Sequence, residues 1–130
     1  MDLLQLESII RTQLSVRVPK LTDNKYPQMS FTSEISDRTP SFPNVYVHEL
    51  DPSELGNDLE NNQIHAVRST IQIDVSTNVS KSEANEVAIA CITALKGLRY
   101  TPVTKNYVKA DNLHRYIIRV RRVVASGDTF

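Results

Sequence analysis

From about His65 to Ser76, apolar and polar residues alternate. Val67, Ser69, Ile71, Ile73 and Val75 fall on one side, and Arg68, Thr70, Gln72 and Asp74 on the other. Alternation with a period of two is the signature of a strand with one buried face and one open face. A β-branched strand of this length predicts the centre of a sheet, and its apolar side needs a covering layer. A cover follows directly in sequence. Ser80 and Glu83 have capping-box spacing, and Ala84, Val87, Ala88, Cys91, Ile92 and Leu95 then recur at helical spacing as far as Gly97, which reads as the C-terminal cap.

The remaining elements arrange themselves around this pair. Leu3, Leu6, Ile10 and Leu14, widened by Leu4 and Ile9, predict an amphipathic helix over residues 2–15, ended by Val16 to Pro19. Met29, Phe31, Ser33 and Ile35 alternate with polar neighbours as a strand, and Val45 and Val47 mark a short second strand. Pro40 and Pro43 argue against the middle of a sheet there. Val103 and Tyr107 carry a weaker strand signal, Asp111-Asn112 reads as a tight turn, and His114 to Val124 is a strong last strand. Its Tyr116, Ile118, Val120 and Val124 share one face; Arg115, Arg119 and Arg121 share the other with Ile117 and Val123. The expected fold is α+β: a mostly antiparallel, mixed sheet of four to five strands with two helices on one face. Residues 51–63 have no apolar periodicity. They read as a long acidic loop, either a mobile arm used in assembly or a hairpin connector. Residues 126–130 read as a frayed tail.

At 130 residues with one cysteine, the chain has the size of a single domain, 1–130, and cannot close an internal disulfide. The opening Met-Asp-Leu-Leu-Gln-Leu-Glu has acids where a secretory leader needs basic residues, so export by that route is not expected. The longest strictly apolar run, Val87 to Ile92, is far below the roughly 20 residues needed to cross a bilayer, so no membrane association is expected. Formal net charge is zero, which argues against coating nucleic acid by bulk charge. The halves differ, however. Residues 1–65 hold ten acids and five bases, residues 66–130 the reverse, so −5 is joined to +5. Either the fold interleaves the halves and the asymmetry vanishes, or the molecule is bipolar and suited to head-to-tail association.

Known catalytic patterns are not met. His48-Glu49 begins like a zinc-protease motif, but the second histidine would fall at Pro52. His48, His65 and His114 lie in separate elements and Cys91 sits on an apolar helix stripe, so neither a metal site nor a thiol nucleophile is predicted. Gly56, Gly97 and Gly127 are too dispersed to cradle a phosphate or form a nucleophile elbow, and no cofactor is expected. Asp58 and Glu60 are paired carboxylates without a rigid cleft. The three strand arginines remain. They are a solvated face, one side of a subunit contact, or a modest phosphate-binding patch without an aromatic platform.

Taken whole, the chain resembles the tail terminator (tail-completion, minor tail) proteins of long-tailed bacteriophages. The resemblance rests on the opening helix, Phe42-Pro43-Asn44-Val45-Tyr46-Val47-His48-Glu49, the acidic loop and Ser69-Thr70-Ile71-Gln72-Ile73-Asp74-Val75. Leu95-Lys96-Gly97-Leu98-Arg99-Tyr100 and Arg115-Tyr116-Ile117-Ile118-Arg119-Val120 extend it to the end of the chain. It is one of pattern and order. The resemblance implies a non-enzymatic virion protein, assembled in the host cytoplasm, that forms a hexameric ring on the tail tube protein and stops tube growth. It then docks a head-completion (connector) protein, while DNA passes through the lumen without sequence-specific binding. A closed ring needs two complementary patches per subunit. The expected contact joins Arg115, Arg119 or Arg121 to Asp51, Glu54, Asp58 or Glu60 of the next homo-oligomer subunit. A tail tube or other neck-ring subunit is the near alternative, and a ferredoxin-like small-ligand or nucleic-acid binding module the distant one.

Overall fold

The computed structural model describes residues 6–33, 41–50, 53–58 and 63–125. Along the chain these form α1 (Leu6–Leu21), β1 (Ser30–Ser33), β2 (Asn44–Glu49), β3 (Ser53–Asp58), β4 (Gln63–Thr77), α2 (Lys81–Gly97), β5 (Thr101–Ala110) and β6 (Leu113–Ala125). The sheet runs β1-β2-β4-β6-β5, with β3 as a further partner of β4. The β1–β2 pairing is parallel and the other pairings are antiparallel. This is the mixed α+β sheet expected from the sequence. Its order is not the β-α-β-β-α-β of ferredoxin-like domains.

The alternating strand is the centre. One edge of β4 pairs with β6 from Ala66 to Thr77, and the other pairs with β2 from Ile71 to Ser76. Ile71, Ile73 and Val75 are fully buried beside Tyr116, Ile118 and Val120 of β6 and Val45 and Val47 of β2. Ile10, Leu14 and Val18 of α1 and Ala84, Val87, Ala88, Cys91 and Leu95 of α2 complete this one core. Both helices therefore cover the same face. Lys25 Nζ and the Tyr26 hydroxyl reach Glu86 of α2 at 2.9 and 3.0 Å, pinning the segment after α1 to its neighbour.

Five local expectations change. The α1 helix continues through Pro19 to Leu21, although proline lacks the N–H that would bond Ser15. Buried Val18 holds that turn against the core, and Thr22 ends it by donating its hydroxyl to the Val18 and Pro19 carbonyls at 3.1 and 3.2 Å. Residues 1–5 and 34–40, where the predicted first helix begins and the predicted first strand ends, lie outside the described residues, as does the tail 126–130. Despite Pro43, β2 is an inner strand, because it starts only at Asn44, past the proline.

The end of α2 also differs. Ser80 caps its start as expected, accepting the Glu83 N–H at 3.1 Å, but the Glu83 carboxylate bonds the Thr77 hydroxyl. At the other end Gly97 is still helical, and Arg99 adopts the left-handed turn, φ 72°. At 97 a Cβ would come within 3.2 Å of the Arg17 guanidinium, so glycine leaves room for the tip of that α1 side chain. Asp111 opens the predicted tight turn at φ 54°.

The largest difference is the acidic segment. Over Ser53–Asp58 it is not a loop but the strand β3, antiparallel to Gln63–Arg68 of β4. The register advances four residues from Glu49 to Ser53 against three from Ile71 to Arg68. A ladder on an edge already fixed by the core half of β4 supplies backbone partners, so β3 forms without apolar alternation of its own.

Candidate assembly face

The side of the sheet away from the helices is where the predicted arginines appear. Register places Arg115 opposite Ser76, Arg119 opposite Gln72 and Arg121 opposite Thr70, all on the polar side of β4. Arg119 and Arg121 are exposed and Arg115 is half-buried. Arg119 Nε donates to Gln72 Oε1 at 3.1 Å, and Gln72 in turn donates to Asp74 at 3.2 Å. The Arg115 Nε is buried without a hydrogen-bond partner. Between them lie half-buried Ile117 and, farther along, Val123, 53% exposed. The face thus combines cationic tips with apolar surface, a mixture suited to a protein contact.

Arg122, the fourth arginine of β6, belongs to the helix-covered side. Its Nη1 donates to the Leu98 carbonyl at 2.8 Å, and its guanidinium lies 5.8 Å from the Tyr100 ring. Tyr100 is itself buried and shares a 2.9 Å hydrogen bond with the Ser69 hydroxyl. Arg68, which is not among the expected site residues, is exposed on the polar side of β4, opposite Val123, and extends the arginine row onto a second strand. Its parity in the alternation was the available signal, whereas its cross-strand neighbour depends on register.

Of the acidic partners, Glu54 and Asp58 lie on β3, at register positions Val67 and Gln63 of β4. Asp51 and Glu60 lie outside the described residues. Arg115 and Glu54 are nine residues apart when projected onto β4, about 30 Å at strand rise, so one chain does not bring them together. Arg121 is much nearer to β3, with β4 between them. The charge asymmetry of the sequence therefore survives along the sheet for Arg115 and narrows at Arg121.

No family model matches the chain, and no curated protein matches it. The fold has solved counterparts. Matches extend to 20 solved chains; one, of unstated function, aligns over 88% of this chain and 92% of its own with a TM-score of 0.50 and 14% identity. At that identity the likeness concerns the fold alone.

Elsewhere, the titratable groups are placed for packing. Burial pushes the Cys91 thiol up to about 12, which leaves it protonated and unreactive at neutral pH. The Tyr107 hydroxyl and His114 Nδ1 share a 2.7 Å hydrogen bond at one end of the β5–β6 pair. Glu49 is raised to about 7, first by burial and then by the charge of Glu7, while a bond from the Glu7 backbone and the charge of His48 work the other way. Its Oε1 is buried without a partner. Among the described residues no three of His, Cys, Asp and Glu converge as metal ligands, and no helix is long and apolar enough to cross a membrane.

Proposed function

We propose that this chain is a structural virion protein of the tail-terminator type: its subunits form a ring that caps the phage tail tube, stops its growth and docks the tail to the head-completion complex. The observation that supports this best is the helix-free face of the sheet, where Arg115, Arg119 and Arg121 line up on one strand, while the acidic strand β3 lies along another part of β4. Two unlike patches at different places on one subunit are what a heterologous, ring-closing contact requires. The α+β fold with both helices on the opposite side leaves that face available. Apolar surface such as Val123 supplies affinity, while the charges set orientation and encounter rate, rim pairs contributing about 0–1 kcal/mol each.

In this reading the partners are further copies of the chain, the tail tube protein and a connector protein, with DNA passing through the lumen. The protein works in the phage neck after assembly in the host cytoplasm and catalyses no reaction. Negative-stain imaging of the protein alone and mixed with its tail tubes tests it. Capped tubes of arrested length are expected. Monomers beside uncapped, still-growing tubes contradict the reading, and stacking into continuous tubes identifies a tube subunit instead.

A further inference from the structure

Where β5 begins, β6 loses its outer neighbour. Thr101 pairs with Arg121, and among the described residues no strand pairs with β6 beyond it on that side, although β6 runs on to Ala125. The step leaves a notch of about 320 Å³ at the sheet edge, lined by Arg68, Thr101, Arg121, Arg122 and Val123. Three of these five residues are arginines and none is acidic. Arg68 and Arg121 are exposed and have no ion pair or side-chain hydrogen bond to the described residues. Arg122 is held differently, toward the helix-covered side, on the Leu98 carbonyl at 2.8 Å and against Tyr100, so Arg68 and Arg121 are the cations placed to close on a ligand.

Like charges gathered in a concavity repel, and a bound anion relieves that repulsion. Guanidinium forks recognise oxyanions by paired, charge-assisted hydrogen bonds. A carboxylate offers two oxygens and one charge, enough for one fork. A phosphate group offers more oxygens and, when terminal, up to two charges, which suits the exposed Arg68 and Arg121 on neighbouring strands of one sheet face. We propose that this notch is a phosphate-binding site, filled either by a free phosphate compound or by a phosphate of a nucleic-acid backbone. The proposal goes beyond the ring reading and does not depend on it.

Titration of sodium pyrophosphate into the whole chain, followed by calorimetry at low ionic strength, tests the site, with a short DNA duplex titrated in parallel. The expected result is saturable binding that Arg68→Ala and Arg121→Ala each weaken roughly tenfold, as loss of a charge-assisted hydrogen bond implies. Both positions are exposed, so the fold is retained. Lys109→Ala, at the far end of β5 about 26 Å from Thr101, leaves binding unchanged. Pyrophosphate bound in this manner identifies a free phosphate as the ligand, and the duplex bound in this manner identifies a backbone phosphate. The proposal is overturned by binding of neither ligand, by equal weakening in Lys109→Ala, or by binding of an acidic peptide in place of both.

Discussion

The two sides of β6 meet opposite environments. Tyr116, Ile118, Val120 and Val124 are buried on the side that faces the helices, while on the other side Arg119, Arg121 and Val123 are exposed. One strand thus carries the folding determinants on its even positions and the candidate contact surface on its odd ones. The lesson is that the core and the open surface are separable here residue by residue, because strand geometry sends neighbours to opposite environments.

That separation predicts effects that shrink in order. Ile118→Ala leaves a cavity under both helices and is expected to lower the unfolding free energy by about 2–5 kcal/mol in urea titration. Tyr100→Phe strips the buried Ser69 hydroxyl of its partner, with an expected loss of about 1–3 kcal/mol. Glu49→Gln acts through pH. The folded protein holds this carboxyl at about 7 against an ordinary 4.5, so its protonated form favours folding below pH 4.5, and that contribution is lost as pH rises through 7. The variant should therefore match the native chain near pH 4 and exceed it near pH 8, on the order of 1 kcal/mol after allowing for partial solvent exposure. Arg121→Ala, on the open side, should change stability by less than about 0.5 kcal/mol. A large loss there would show that the open face also holds the fold together.

The same division explains what the sequence made legible. Strands β4 and β6 and helix α2 could be read because each buries one side of a long periodic pattern. The acidic strand β3 could not, because its ladder depends on an edge of β4 and on a register shift between Glu49 and Ser53 that no local pattern encodes. Pro19 and Gly97 each misplaced a helix end: Val18 is held in the core, and the left-handed turn that closes α2 falls at Arg99. The arginine row was visible from parity along β6. Its extension to Arg68 needed the cross-strand pairing, and the separate role of Arg122 needed the turn at Leu98.

The central claim is that the arginine side of β6 meets the acidic segment of another subunit. Ring formation on tail tubes, scored by negative-stain imaging for Arg119→Glu, Glu60→Arg and the double variant, tests it most directly. Each single reversal places like charges opposite one another and is expected to reduce closed rings, and the double variant to restore them. Unchanged ring formation in all three would contradict the account.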